Sequence, residues 1–183
     1  MTVPELRTTR LQLRPLRPAD ADGLHEALGH REVTRYLSDV PPSPERTRMI
    51  VERLCAASYP TGMGHWVWQE RTTGALVGRG YLVPSPVDPR ERPEAGWFLG
   101  HRWWGTGLAC EAGQAILRYA FVALACPAVI ARVHPDNAAS LRLAERLGFH
   151  GGEPLGDAAN PRLLMVAPRR AAPGRGYPVG HPG

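Results

Sequence analysis

The stretch HRWWGTGLACEA, His101 to Ala112, sets two glycines one residue apart between a run patterned as a strand and a run patterned as a helix. Before it, EAGWFLGH is rich in the aromatic and apolar residues that suit a pleated, half-buried surface. After it, Leu108, Ala112, Ala115, Ile116 and Tyr119 recur on one helical face, with Glu111, Gln114 and Arg118 on another, which predicts a helix over roughly Leu108 to Leu124. A strand that turns through glycines straight into a long helix needs a sheet for the first and a covering layer for the second. The rest of this half repeats the alternation. AVIARVH is a β-branched run and reads as a buried strand. DNAASLRLAERLGF reads as a helix capped by Asn137 and stopped at Gly148, and RLLMVAP closes as a strand.

The first half supplies the remaining layers. RLQLRPL, Arg10 to Leu16, puts Leu11, Leu13 and Pro15 on one face of a strand. Pro18 opens a helix with acids in its first turn, where the helix dipole favours them. REVTRYL is a second short helical piece. Ser43 caps a third helix with Pro44 at its first position, although Arg46 stands where a capping box would want glutamate. HWVWQER and ALVGRGYLV flank TTG as a hairpin. The order is a strand meander followed by strand, helix, strand, helix, strand, which predicts a mixed α/β fold around one central sheet. Residues 1–168 read as one domain, and the Pro/Gly/Arg-rich segment 169–183 as a tail without regular structure.

Composition removes several functions. No apolar run approaches the roughly 20 residues of a membrane helix, and the N-terminus lacks a signal-peptide core, so a cytoplasmic protein with no membrane partner is expected. The 3 cysteines form no C-x-x-C pair and the 7 histidines are scattered, so neither a disulfide framework nor a metal site is expected. The net charge of +5 owes much to Arg169, Arg170 and Arg175 in the acid-free tail, and no element carries a basic stripe, so no nucleic-acid partner is expected. All 22 basic residues are arginine. Mechanisms that need a lysine, including a P-loop or a Schiff base, are excluded.

The glycine turn has three readings as a nucleotide site. As a dinucleotide fingerprint, G-x-G-x-x-G, it fails at Cys110, and no acid follows at the distance of a ribose partner. As a P-loop it lacks lysine. The third is a diphosphate turn for another nucleotide-bearing cofactor. A helix N-terminus carries unpaired amides and partial positive charge, and glycines let an anion approach them. A plain turn is the alternative without function.

The pattern Arg102-x-x-Gly105-x-Gly107-x-Ala109 resembles the [Q/R]-x-x-G-x-[G/A] motif of the GNAT acetyltransferase superfamily. TTRLQLRPLRPAD, VTRYLSD, EAGWFLGHRWWGTGLACEA and ARVHPDNAASLRLAERLGF are together similar to the Rim-type protein N-terminal acetyltransferases, and cover nearly the whole chain before the tail. The resemblance implies a mostly antiparallel sheet with helices on both faces, and transfer of acetyl from acetyl-CoA to an amine, a protein N-terminus or a small amine. It implies cofactor contacts at Arg102, Trp104, Gly105, Thr106, Gly107, Leu108 and Ala109, with Asn137 beside the pantetheine arm and Ser140 near the sulfur. Glu94 is the implied base, acting through water, against an ordinary solvent-facing strand residue. Trp66, Trp68, Trp103 and Trp104 are candidate pocket walls, with core packing the stronger expectation for each. Glu111 is expected to cap or to pair with the dipole. A non-catalytic acyl-CoA sensor would carry the same cofactor residues. A homodimer is the default assembly.

Overall fold

The computed structural model describes residues 3–36, 43–88 and 90–169. Strands β1 (Leu6–Arg7) and β2 (Leu11–Pro15) begin the chain as an edge hairpin. Leu11 and Leu13 are fully buried, as the alternation predicts. A tight turn at Pro18–Asp20 leads into α1 (Ala21–Leu28), followed by α2 (Arg31–Thr34) and α3 (Pro44–Ala56). The turn is fixed by Asp20, which is buried and accepts from both terminal nitrogens of Arg14 at 2.6 and 2.9 Å and from the Arg17 amide at 2.8 Å. Ser43 caps α3 by accepting from the Arg46 amide, so the cap forms without glutamate at that position.

Strands β3 (Gly64–Glu70), β4 (Leu76–Pro84) and β5 (Pro93–Leu99) form the expected meander. The remainder runs α4 (Leu108–Val122), β6 (Ala128–Val133), α5 (Ala138–Arg146), β7 (His150–Leu155) and β8 (Arg162–Pro168). The sheet order is β1-β2-β3-β4-β5-β6-β8-β7. Every neighbouring pair is antiparallel except β5 and β6, which are joined through α4 and run parallel. Helices lie on both faces. One core packs Trp66, Trp68, Val129 and Met165 with Ala112 and Ile116 of α4; the other packs Val67 with Leu24 and Leu28 of α1 and Val51 of α3.

Trp66 and Trp68 are fully buried core residues, which was the stronger expectation for both. Their fit depends on glycine: a Cβ at Gly80 would lie 2.7 Å from the Trp68 ring and 2.9 Å from Ile116. HGGEPL forms β7, which the sequence reading passed over because Gly151, Gly152 and Pro154 are poor strand formers. Pairing with β8 holds it, with a register shift between Gly151 and Glu153. Helix α4 stops two residues short of the expected Leu124, and α2 ends at Thr34 rather than running on through REVTRYL. The end of VTRYLSD and the tail from residue 170 onward lie outside the described residues.

Candidate functional site

The glycine turn adopts the conformation that only glycine takes freely. Gly105 has φ +77° and Gly107, the residue before α4, has φ +82°. A Cβ at Gly105 would meet nothing within 4 Å, so the turn is bare on its outer side. The first backward bond of α4 runs from the Glu111 amide to the Gly107 carbonyl, 3.1 Å. The amides of Leu108, Ala109 and Cys110 therefore have no partner within the helix and crown its positive end. A Cβ at Gly107 would lie 3.4 Å from Nη2 of Arg10, so the open space of the turn is at Gly105, beside the helix N-terminus, and it fits a diphosphate that a Cβ there would crowd.

Neighbouring side chains brace the turn. The Arg102 guanidinium lies 3.8 Å over the Trp103 ring. Trp104 is half-exposed and its indole N–H donates to the Leu99 carbonyl at 2.9 Å. The Thr106 hydroxyl donates to the Trp103 carbonyl at 2.6 Å. Leu108 is buried in the core, and Ala109 packs against it, so both present backbone rather than side chain to the turn's outer face. Arg10 is a residue the sequence reading missed. Its amide and Nε each donate to the Glu111 carboxylate at 2.7 Å, and its Nη1 donates to the Thr106 carbonyl at 2.8 Å. Glu111 thus joins the start of β2 to the first turn of α4, a hundred residues on; such pairing has no local sequence signal.

Strands β5 and β6 are in register at one point, Glu94 opposite Ile130. Beyond it they part, and a cleft of about 380 Å³ opens between Gly96–Phe98 on one side and Ala131–His134 on the other. Asn137 and Ser140 of α5, Tyr81 of β4 and Ile50 and Leu54 of α3 also line it. The cleft and the glycine turn are reached from the same C-terminal end of the parallel pair, where open α/β sheets take their ligands.

Glu94 sits at the root of this cleft and is only 2% exposed, so it is not a solvent-facing strand residue. Its carboxylate accepts from the Tyr81 hydroxyl at 2.8 Å, from Nε of Arg132 at 2.8 Å and from the Ser85 hydroxyl at 3.3 Å. Burial, reinforced by the Glu94 charge, pushes the Tyr81 phenol far up, so it stays protonated and donates. The Tyr81 ring crosses directly over Gly96; a Cβ there would overlap it. His65 lies beside Tyr81 across the β3–β4 register. Burial, helped by the nearby Arg79 charge, pushes its imidazole down to about 3. Its Nε2 meets the Tyr59 hydroxyl at 2.9 Å, and its Nδ1 is buried with no partner among the described residues.

Asn137 caps α5 by accepting from the Ser140 amide at 3.0 Å. The Ser140 hydroxyl oxygen accepts from the Trp97 indole N–H at 3.4 Å, which leaves its own proton free to donate into the cleft. The structure therefore brings Glu94, Asn137 and Ser140 to one cleft, and Arg102 to Ala109 to the adjoining turn. Among the described residues no group of His, Cys, Asp and Glu is placed to hold a metal ion, and no helix is long and apolar enough to cross a membrane.

Comparison with known proteins defines the class. Residues 10–150 match the acetyltransferase (GNAT) domain family. An uncharacterised N-acetyltransferase, p20, of Bacillus licheniformis is 30% identical over 147 residues, covering 79% of this chain and 81% of its own. The FsC-acetyl coenzyme A-N(2)-transacetylase of Aspergillus fumigatus is 33% identical over 156 residues, covering 75% of this chain and 61% of its own. The solved structure of a GNAT-family acetyltransferase from Bacillus anthracis superposes with a TM-score of 0.77 at 22% identity, covering 91% of this chain and 99% of that one. Ribosomal-protein acetyltransferases also share the fold. The chain belongs to the GNAT family of acetyltransferases. Its activity is acetyl transfer, with acetyl-CoA as the family's cosubstrate.

Proposed function

We propose that the chain moves acetyl from acetyl-CoA to a primary amine by direct attack in a ternary complex, with the amine entering from the α3 side of the sheet. The observation that carries this reading is the parting of β5 and β6 past Glu94 and Ile130, which opens the cleft along the strand that leads into the glycine turn. When bound, acetyl-CoA supplies an activated acyl group on a thiol leaving group. Gly105 to Ala109, through the unpartnered amides at the start of α4 and with Arg102, Thr106 and the Trp104 edge beside them, would hold the diphosphate, and Asn137 would contact the pantetheine arm. Amides of β5 that face away from β4 point into the slot, where they stabilise oxyanion charge.

An ammonium has no lone pair, so the amine must lose a proton. Glu94 takes it through Tyr81, whose hydroxyl already donates to the carboxylate and accepts a second proton as the first moves on. Ser140 donates its hydroxyl proton toward the departing sulfur. As acceptor, the resemblance to the Rim-type enzymes favours a protein N-terminal α-amine, with a small amine as the alternative. A thiol-release assay with acetyl-CoA against panels of peptides and small amines tests the proposal. Release that requires an amine supports it, and no release with any member of either panel overturns it.

A further inference from the structure

Helix α4 opens with an acid beside the amides proposed to hold an anion. Glu111 lies in its first turn, with a side chain only 18% exposed. A carboxylate there complements the helix dipole by itself and repels a second anion. Both its oxygens accept at 2.7 Å from Arg10, one from the backbone amide and one from Nε. The Arg10 charge therefore cancels that of Glu111, and the start of α4 keeps its partial positive charge for a ligand. The guanidinium also reaches beyond Glu111 to the glycine turn. Nη1 donates to the Thr106 carbonyl at 2.8 Å, and a Cβ built at Gly107 would lie 3.4 Å from Nη2. Nη2 has no hydrogen-bond partner among the described residues. The side chain is half-exposed, so these donors are open to a molecule arriving from solvent. Phosphate oxygens are acceptors that a guanidinium matches well.

We infer that Arg10 is a diphosphate ligand: its Nη2 donates to a phosphate oxygen of acetyl-CoA beside the unpartnered amides of α4, and Glu111 holds the guanidinium in position to do so. The inference rests on the reading of the glycine turn as the diphosphate site. It adds a side chain 101 residues from Glu111 in sequence, outside the Arg102-x-x-Gly105-x-Gly107 pattern. A purely structural brace behaves differently. If the pair only pins β2 to α4, cutting it from either side loosens the turn alike. If Arg10 is a ligand, the two cuts act in opposite directions. Arg10→Gln removes a donor and a positive charge; Glu111→Gln removes a negative charge and leaves Arg10 facing the anion.

Calorimetry with CoA, and with pantetheine, which ends before the diphosphate, reads the difference. Arg10→Gln should weaken CoA binding about five- to twentyfold, leave pantetheine within about twofold, and flatten the salt dependence of CoA binding. Glu111→Gln should bind CoA as tightly as wild type or more tightly. Arg10→Lys keeps the charge without the planar fork and should recover part of the loss. Should Arg10→Gln fail to fold, Arg10→Lys carries the same comparison, with a smaller loss confined to CoA. An unchanged CoA affinity overturns the inference, as does an equal loss for pantetheine or a matching loss of CoA affinity in Glu111→Gln. If wild-type protein binds CoA no more tightly than pantetheine, the diphosphate reading of the turn fails and the inference falls with it. If CoA binds more tightly than pantetheine and loss of the Arg10 guanidinium leaves that margin intact, the inference alone fails.

Discussion

Single residues carry separable duties in this site. Asn137 both caps α5 and lines the cleft, so Asn137→Ala should cost about 1 kcal/mol of stability and also weaken acetyl-CoA binding. Ser140→Ala keeps the amide that Asn137 accepts from. It should leave folding and binding near wild type and slow the chemical step about ten- to a thousand-fold. Thermal unfolding with and without acetyl-CoA, paired with single-turnover transfer, reads both effects. A wild-type rate in Ser140→Ala would mean that the sulfur takes its proton elsewhere. Gly107→Val should act more bluntly. At φ +82° a β-branched residue is strained by about 1–2 kcal/mol, and its Cβ, 3.4 Å from Nη2 of Arg10, would press on the arginine that braces the proposed diphosphate turn. Calorimetry should show acetyl-CoA affinity falling at least tenfold; unchanged affinity would move the diphosphate away from this turn.

At the scale of elements, β5 is the piece on which the chemistry depends. It pairs with β4 along its length and with β6 only at Glu94, so one strand end anchors the sheet while the rest walls the slot. Glu94→Gln should lower kcat and alter the acidic limb of the pH–rate profile, with acetyl-CoA affinity near wild type. Tyr81→Phe should do the same if the proton passes through the phenol. Gly96→Ala should reproduce Tyr81→Phe, because a Cβ at Gly96 would displace the ring from Glu94. If Tyr81→Phe and Gly96→Ala transfer acetyl at the wild-type rate, the proton does not pass through Tyr81; if Glu94→Gln does so too, Glu94 serves the sheet and not the proton. These elements differ in how far the sequence announces them. Helix α4 was legible because its apolar stripe and its glycine turn are local patterns, and the Asn137 cap because capping is local too. Strand β7 was not, since two glycines and a proline hide a strand that exists only through its pairing with β8. The bonds of Glu94 to Tyr81 and Arg132, and of Arg10 to Glu111, join segments far apart in the chain, and no spacing rule reports them.

The whole molecule places an apolar core on each side of one sheet and leaves the parting of β5 and β6 as its working gap. Stability should carry the signature of His65. Burial holds its folded pKa down at about 3, below the ordinary 6.5, so the unfolded chain binds the extra proton between those values. The contribution of neutral His65 is therefore present in full above pH 6.5 and is lost as pH falls toward 3, at up to about 1.4 kcal/mol per pH unit. Urea unfolding across that window should show a shallower loss in His65→Gln than in wild type; parallel losses would mean that the imidazole protonates in the folded state. The account as a whole stands on direct transfer between two substrates held together at the parting of the strands. Initial velocities of thiol release, with acetyl-CoA and an active amine both varied, test this most directly. The account predicts that release requires both substrates and that the double-reciprocal lines intersect, as for a ternary complex. Parallel lines, the mark of an acetylated enzyme and a ping-pong cycle, would contradict it.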